Sequence, residues 1–575
     1  MNLNISYNWL KEHLSTKEPA SDFAKKISLS GPSVDFINHL TPSFSKVIVA
    51  QIKEINPYPD AEKLRVCQVD TGKETLQIVC GAPNIAVGQK VPLVLVGGQV
   101  GNMEITKSKL RGVESFGMMC SAKELGLGED HSGIFILPDY VKVGLPLEKV
   151  IPIEDYIFDM EVTSNRPDAM SVIGVAREAS AILEADFNYK EPKPNLKVKK
   201  ELKLSVNNKE TKLCKRYQAI VMTNVKVESS PLWMQARLLS AGMRPINNLV
   251  DITNYILLEF GQPMHVFDYD KLKGNEINIR LAKKGERIQA LDGKMYELST
   301  DNLVIADSTS PVAVAGVMGG ELSAASLETK NIVLESANFD SVSVRKTARV
   351  LNLHSDSSDL YEKNLHPNGT QPALLRAVEL VMELASGQVA SSVFDQKDKF
   401  KNKEIALDYE NVEKVLGVEI KKIEIKEILE SLGFVVKDKV AVPWWRDHDI
   451  SGEHDLIEEV ARIYGYHNLP SKLMEGKIPA GEGNAPEFER EDQSKDVFSS
   501  LGFTESCNYS FISEKSIKDC GLDSGIKIYN PLSSDFEYMR TSLVPGLLQN
   551  LSENEGLFPN MKIFELSKIY LEKKE

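Results

Sequence analysis

The chain has 575 residues, which predicts several domains, about four at roughly 150 residues each. Hydrophobic residues make up 42% of the chain and charged residues 26%, ordinary values for a soluble globular protein. The net charge of −14 argues against a surface coated for nonspecific nucleic-acid binding, but it leaves room for a basic face on one domain.

The six cysteines form no CxxC pair and no cluster with zinc spacing. Scattered single cysteines fit a reducing compartment better than a disulfide framework. The first residues lack the basic-then-apolar order of a signal peptide, and the longest apolar run, 91–96, is too short to cross a bilayer. These features predict a soluble, cytoplasmic protein.

Residues 1–40 begin with a short strand and an amphipathic helix, after which closely spaced apolar runs predict a small β-barrel. The predicted barrel strands are 47–55, 64–70, 75–80 and 90–96. A barrel with a basic rim suits RNA, and ordinary surface charge is the alternative. The basic residues of this segment are Lys63, Arg65, Lys107, Lys109, Arg111 and Lys123.

Helical patterning returns after the barrel, where Ser164 or Asp168 can cap a helix that runs to about Ala185. Two linkers, 191–200 and 395–404, then enclose a mixed α/β block.

Beyond the second linker, apolar residues at helical spacing predict three helices, at 411–416, 423–432 and 455–464. A glycine-rich hinge at 474–486 separates them from a final α/β block, 487–575.

Residues 244–268 combine apolar residues at helical spacing with amides and acids that suit a helix core poorly. Buried polar groups need partners, so these side chains either tie down backbone or face a ligand. Gly261, Gln262 and Pro263 end the predicted helix, and a strand-like alternation containing His265 follows. The segment therefore predicts the wall of a polar pocket.

Four further features suit a pocket, each with a plainer alternative. The glycines of 315–320 let backbone amides approach an anion, but a tight turn between strands is favoured. His265 is a candidate ligand or catalytic residue or a structural histidine. Glu335 follows an apolar strand and lines a pocket or faces solvent. Arg244 is a phosphate clamp or part of a surface salt bridge.

Two charged segments leave similar alternatives. Residues 344–358 combine basic residues with hydroxyls and either meet phosphate or form a cationic helix face followed by a capped loop. Residues 447–460 carry carboxylates suited to Mg²⁺, or alternatively an N-cap with an ion pair between Glu458 and Arg462.

Taken together, these segments resemble the β subunit of bacterial phenylalanyl-tRNA synthetase, in order and over nearly the whole chain. The segments that carry the resemblance are 47–70, 111–121, 161–178, 244–255, 261–268, 444–450, 455–466 and 530–548.

The resemblance implies a multidomain α+β fold in which an OB-fold tRNA-binding barrel is inserted in an N-terminal α/β domain. The implied domains are 1–41 with 150–190 (N-terminal domain), 42–149 (OB-fold barrel), 201–395 (α/β editing module), 403–472 (small helical Mg-site domain) and 487–575 (partial class II synthetase-like module). By this comparison the chain ends inside the last module and lacks the anticodon-binding domain.

The resemblance also implies a division of labour between two subunits. An α subunit, in an α2β2 heterotetramer, uses ATP to join phenylalanine to tRNA(Phe). The β subunit supports the tRNA and hydrolyses mischarged Tyr-tRNA(Phe), with water attacking the ester. The implied editing pocket comprises Arg244, His265, Gly319, Glu335, Ser355 and Ser357. The implied Mg²⁺ ligands, shared with the α subunit, are Asp449, Asp455, Glu458 and Glu459.

This sequence departs from the family pattern on one wall of the implied pocket. The family usually has threonine where Ser355 stands and alanine where Ser357 stands. Leu360 and Lys363 occupy positions where the family usually has arginine, so one charge and one bidentate fork are lost. Three hypotheses follow: an editing ligase subunit, a non-editing structural and tRNA-binding subunit, or a stand-alone RNA-binding factor.

Overall fold

The structure is a computed structural model that describes residues 2–58, 61, 64–110, 112–127, 131–152, 154–398, 400–473, 476 and 485–571. The chain divides into two compact units, Met1–Ser471 and Lys472–Glu575. None of the helices in these described stretches has the length and apolar character needed to cross a membrane. All six cysteines are free thiols.

The first unit opens with a three-stranded antiparallel sheet. Its elements up to residue 40 are β1 (Asn2–Ser6), α1 (Tyr7–His13), α2 (Ala20–Ser30) and β2 (Ser33–Leu40). The chain leaves this sheet after β2 and returns more than a hundred residues later with a strand that lies between β1 and β2. The segment between them is therefore inserted into the first sheet.

The inserted segment is an antiparallel sheet. Its strands are β3 (Phe44–Pro57), β4 (Arg65–Asp70), β5 (Thr75–Cys80), β6 (Lys90–Val100), β7 (Met103–Glu104), β8 (Ser108–Leu110), β9 (Val113–Ser115) and β10 (Gly117–Met119). The main sheet has the order β10-β6-β3-β4-β5, with β7 also paired to β6, while β8 and β9 pair only with each other. Phe116 N donates to Gln77 O at 3.0 Å beside β5, so the main sheet curls back on itself. The strands predicted in this segment are confirmed.

The chain re-enters the first sheet through β11 (Asp155–Glu161) and continues into α3 (Val172–Leu183). The prediction that Ser164 or Asp168 caps this helix was wrong. Ser171 is the N-cap and accepts a hydrogen bond from Gly174 N, whereas Asp168 lies upstream and is held by Arg166.

The α/β block contains two five-stranded sheets with helices against them. Its elements are β12 (Ser205–Asn208), β13 (Cys214–Thr223), α4 (Leu232–Ser240), α5 (Asn248–Phe260), β14 (Met264–Asp268), β15 (Glu276–Leu281), β16 (Arg287–Gln289), β17 (Met295–Glu297), β18 (Leu303–Ala306), β19 (Pro311–Val314), β20 (Met318–Gly319), β21 (Ile332–Phe339), α6 (Ser341–Leu351), α7 (Asp356–Tyr361), α8 (Thr370–Leu384), β22 (Gln388–Val389) and β23 (Phe394–Lys397). One sheet has the order β14-β21-β13-β22, with β23 also paired to β13, and the other has the order β12-β15-β18-β19-β20.

Helix α5 confirms the helix predicted from 244–268, but its polar side chains tie down backbone. Asn247 caps the helix by accepting from Leu249 N and Val250 N. Asn248 donates to the carbonyls of Lys226 and Leu384, and Asp251 accepts from Ile246 N and the Ser230 hydroxyl. Of the two roles predicted for these groups, holding backbone is the one that the structure supports.

The helical block follows with β24 (Glu404–Ile405), α9 (Tyr409–Leu416), α10 (Lys422–Ser431), β25 (Val435–Val436), β26 (Val440–Ala441) and α11 (Glu453–Tyr464), and its three helices confirm the prediction. A buried ion pair between Arg462 and Glu178 joins it to α3. Arg462 on α11 contacts both Glu459 and Glu178, and it donates to Ser30 O at 2.9 Å.

The second unit contains α12 (Pro486–Ser500), β27 (Thr504–Glu505), β28 (Phe511–Ile512), α13 (Glu514–Asp519), β29 (Tyr538–Met539), α14 (Val544–Glu553) and β30 (Ile563–Phe564). Strand β27 pairs with β30 in parallel and β28 with β29 antiparallel. Arg540 is buried and donates to Glu565 at 2.6 Å, to Ser567 and to Lys568 O.

We expect Arg462→Met to lower the free energy of unfolding by about 2–3 kcal/mol, because it removes one of the two arginines that pair with each of the buried carboxylates Glu178 and Glu459. Urea unfolding of the variant measures the change. Arg287→Met is the matched control, since its partner Glu297 is exposed and such pairs contribute at most about 1 kcal/mol. Equal losses in the two variants would contradict the structural role of Arg462.

Candidate functional site

Three neighbouring strands present a polar row on one face of the sheet. His265 on β14 lies directly opposite Glu335 on β21, which lies directly opposite Ala219 on β13. Tyr217 is two residues from Ala219 and therefore faces the same side. Its hydroxyl donates to Glu335 Oε2 at 2.5 Å. The register of the strands thus brings together side chains that are far apart in sequence.

Glu335 is a buried carboxyl group with a perturbed pKa. Burial raises its pKa to about 7, and the hydrogen bond from Tyr217 lowers it in part. Among the described residues, no other hydrogen bond reaches this carboxylate. Near neutral pH the group therefore exchanges between its neutral and ionised forms.

His265 is neutral at pH 7 because burial lowers the pKa of its imidazole to about 4. The ring packs edge to face against Phe267, with the centroids 4.5 Å apart. Its Nε2 atom is buried and has no hydrogen-bond partner within the described stretches of the chain. A buried nitrogen without a hydrogen bond destabilises the folded protein unless a water or a ligand bonds to it.

The glycine segment forms the turn between β19 and β20, as favoured from sequence. Gly316 has φ +71°, and a Cβ there would lie 2.8 Å from Val344. Gly319 lies against the imidazole, since a Cβ would come within 2.3 Å of His265 Cε1. Any side chain at residue 319 would displace the histidine ring.

The opposite wall is built from the start of α7. Ser355 is the N-cap of this helix, and its hydroxyl donates to Val317 O at 2.5 Å, which ties the helix to the glycine turn. Ser357 lines the cavity itself. Leu360 is buried in the core, so the residue that replaces a usual arginine takes an apolar site.

The cavity has a volume of about 50 Å³. Cavities of about 150 Å³ hold a benzene ring, so a phenol enters this one only after side chains move. Met264 and Met318 are lining residues with the flexibility to do so. The structure brings together five of the six predicted pocket residues, namely His265, Gly319, Glu335, Ser355 and Ser357.

Arg244 is the predicted residue that the structure does not bring to this cavity. It lines a separate cavity of about 620 Å³, together with Asn84 and Gln235. The physical reason is α5, whose 13 residues separate Arg244 from the strand that carries His265. A helix of that length spans about 20 Å.

Three of the four predicted Mg²⁺ ligands, Asp449, Asp455 and Glu459, have other partners. Arg446 donates to Asp449 at 2.7 Å and to Glu459 at 2.6 Å. Burial opposes ionisation of Glu459, but hydrogen bonds from Arg462 and Arg446 outweigh it and hold its pKa well below the usual range. The ion pair predicted between Glu458 and Arg462 is formed by Glu459 instead.

Asp455 caps α11 by accepting from Ser451 N and Gly452 N, and Glu458 is exposed on the same helix. Among the described residues, the only three potential metal ligands within reach of one another are His354, Asp359 and Glu362. The four carboxylates therefore do not fit a closed Mg²⁺ site within this chain. Of the four, Glu458 is exposed and Asp455 is partly buried.

The predicted RNA-binding residues stay a prediction. Lys107, Lys109 and Lys123 are all exposed, and Lys107 pairs with Glu114 at 3.0 Å. Arg65 donates to Leu64 O at 2.9 Å on β4. Lys63 and Arg111 lie outside the described residues.

Sequence reasoning missed Tyr217 and Tyr361. The Tyr361 hydroxyl donates to Ala337 O at 2.9 Å, and its ring packs against Phe339 at the cavity. Tyr217 lies in an apolar strand with no neighbouring polar motif, and only the strand register reveals its role. Tyr361 follows the hydroxyl-rich run at the end of residues 344–358, and this proximity was the one signal in the sequence that could have identified it.

The pKa of Glu335 predicts a pH-dependent stability. A carboxyl whose pKa rises from 4.5 to about 7 on folding loses stabilisation as the pH rises between those values. Glu335→Gln lacks this loss, so we expect it to gain about 3 kcal/mol over wild type between pH 4 and pH 8. Urea unfolding at both pH values measures the difference. The exposed Glu297→Gln is the control, and a gain independent of pH would contradict the assignment.

Family models match four segments of the chain. They are the B3/4 domain at 213–386, the phenylalanyl tRNA synthetase beta chain CLM domain at 469–575, a putative tRNA binding domain at 47–146 and the tRNA synthetase B5 domain at 405–466. The mixed α/β architecture of several domains agrees with these matches.

Two curated relatives are phenylalanine–tRNA ligase beta subunits. The protein of Moorella thermoacetica is 40% identical over 590 residues, covering 99% of this chain and 73% of its own length. That of Carboxydothermus hydrogenoformans is 40% identical over 585 residues, with the same two coverages. A solved N-terminal fragment of the Pyrococcus horikoshii phenylalanyl-tRNA synthetase beta subunit covers 54% of this chain and 87% of its own at 19% identity, with a TM-score of 0.30. At 40% identity over 99% of its length, the chain belongs to the family of bacterial phenylalanine–tRNA ligase beta subunits.

Proposed function

We propose that this beta subunit hydrolyses mischarged Tyr-tRNA(Phe) in the cavity between β14, β21 and α7. The observation that carries the proposal is the pairing of His265 with Glu335 at the wall of that cavity. One offers an imidazole nitrogen without a partner, and the other offers a carboxylate with a free oxygen. The described residues supply no partner for His265 Nε2, whereas Glu335 is bonded to Tyr217 and can accept a further hydrogen bond.

The chemistry of discrimination follows from what the two amino acids offer. The phenol of a tyrosyl ester donates to Glu335 and occupies the polar end of the cavity beside His265. A phenylalanyl ester has no hydroxyl and leaves these buried groups unpaired, which a site built for a hydroxyl rejects strongly. Water attacks the bound ester, and the tRNA leaves with a free 3′ end.

The remaining assignments are part of the same proposal. The inserted sheet is an OB-fold barrel that binds tRNA, residues 201–395 are the editing module, and residues 487–575 belong to a synthetase-like module. An α subunit, in an α2β2 assembly, binds ATP and Mg²⁺ and charges the tRNA. Asp455 and Glu458 are the carboxylates of this chain best placed to meet a Mg²⁺ held by that partner.

The second unit supports a partner surface. Several of its large apolar side chains are exposed, including Tyr529 and Leu532, which are almost fully accessible. Exposed apolar side chains of this size are typical of surfaces that another chain covers. The α subunit is the partner that the proposal requires.

A non-editing, tRNA-binding subunit is the second candidate function. The cavity of about 50 Å³ and the hydroxyl of Ser357 within it favour this alternative, because both leave little room for a phenol ring. The two candidates differ in one measurable activity, deacylation of Tyr-tRNA(Phe).

We expect Glu335→Ala to slow deacylation of Tyr-tRNA(Phe) by the purified complex about 100-fold, since a hydrogen bond to a charged acceptor contributes up to about 3 kcal/mol. Charging of tRNA(Phe) with phenylalanine should stay unchanged. Glu297→Ala, on an exposed strand, is the matched control. Equally slow hydrolysis by wild type and Glu335→Ala would establish the non-editing alternative.

Ser357→Ala should speed the same deacylation by about fivefold, because removing the hydroxyl relieves roughly 1 kcal/mol of crowding around the ring. Single-turnover hydrolysis of Tyr-tRNA(Phe) measures the rate. Ser343→Ala on α6 is the control, since this serine does not line the cavity. A slower reaction in Ser357→Ala would mean that the hydroxyl contributes to binding instead.

A further inference from the structure

Tyr217 is a buried phenol fixed against the carboxylate that the proposed function uses. It is fully buried on β13, and its hydroxyl lies 2.5 Å from Glu335 Oε2. Burial, together with the nearby carboxylate, raises the pKa of Tyr217 well above its usual value, so the phenol keeps its proton and donates it. The protein therefore places its own phenol beside the acceptor meant for a substrate phenol.

This contact makes the two carboxylate oxygens of Glu335 differ in their hydrogen bonding. Oε2 is occupied by Tyr217, while no described side chain bonds Oε1. A carboxylate accepts several hydrogen bonds at once, so Oε1 remains available. One hydrogen bond to a charged oxygen also stabilises the ionised form against the cost of burial.

The other titratable groups around Glu335 do not replace this contact. His265 on β14 is neutral, and Cys214 on β13 and Tyr361 on α7 have pKa values raised by burial. No described lysine or arginine lines this cavity. Tyr217 is consequently the group that favours the acceptor form of Glu335.

We propose that Tyr217 is a positioning residue for amino-acid discrimination: its phenol holds one oxygen of Glu335 and thereby presents the other, as an acceptor, to the phenol of a mischarged tyrosine. The inference rests on the proposed function and names the residue that sets its selectivity. Without Tyr217 the buried carboxyl would remain protonated at higher pH, and a protonated carboxyl is a weaker acceptor.

The test is the pH profile of Tyr-tRNA(Phe) deacylation by the purified complex with Tyr217→Phe, from pH 5.5 to 9. In wild type the rate should rise with a midpoint near the Glu335 pKa of about 7. In Tyr217→Phe we expect the midpoint to rise by about one unit, with roughly tenfold slower hydrolysis at pH 7 and near-complete recovery at pH 9. Selectivity for tyrosyl over phenylalanyl ester should fall at pH 7 and recover in parallel.

Tyr269→Phe is the matched control, because Tyr269 is also buried but its hydroxyl donates to Lys203 O, away from the cavity. Its profile should coincide with that of wild type. A wild-type profile in Tyr217→Phe, or a loss equal at every pH, would overturn the positioning role. Glu335→Ala distinguishes a failure of this inference from a failure of the proposed function. If Glu335→Ala abolishes deacylation while Tyr217→Phe changes nothing, only the role of Tyr217 is rejected. If Glu335→Ala changes nothing, the proposed editing function is rejected as well.

Discussion

The candidate site depends on strand β21, because the pairing of this strand with its two neighbours places the polar side chains of the cavity. All eight of its residues are buried, and it pairs antiparallel with β14 on one side and β13 on the other. A shift of one residue in either ladder would turn Glu335 or its partners to the opposite face. The backbone hydrogen bonds of this strand therefore determine the chemistry of the pocket before any side chain does. The glycine turn and α7 form the other walls of the cavity, but they do not determine which polar side chains lie next to one another.

Local elements followed from the sequence because their determinants are local. The spacing of apolar residues and the break at Gly261 and Pro263 defined α5, and alternation with turn residues defined β4, β5 and β6. The position of a cap was harder, because Ser164, Asp168 and Ser171 are all suitable residue types. Only the path of the backbone selects Ser171, which accepts from Gly174 N.

The family resemblance predicted which residues form the site, but it did not predict how they are arranged in space. Amides on α5 look the same in sequence whether they face a ligand or, as here, hold the carbonyls of Lys226 and Leu384. The carboxylates of 447–460 posed the same difficulty, since oxygen ligands for a metal and partners for arginine are identical residue types. The arginines that neutralise Glu459 come from two segments, and one of them also reaches Glu178 on α3. Such long-range pairing leaves no local signature.

The insertion within the first sheet bears on how the chain folds. Asn2 pairs with Glu161, and β2 pairs with β11, so the amino-terminal sheet lacks its central strand until more than 150 residues have been synthesised. The inserted sheet finds its strand partners within its own segment and can fold during that interval. Its two ends leave and return through neighbouring strands, about 5 Å apart, so closing the outer sheet around the folded insertion costs little further chain entropy. Emergence from the ribosome thus favours an order in which the second segment of the chain folds before the first.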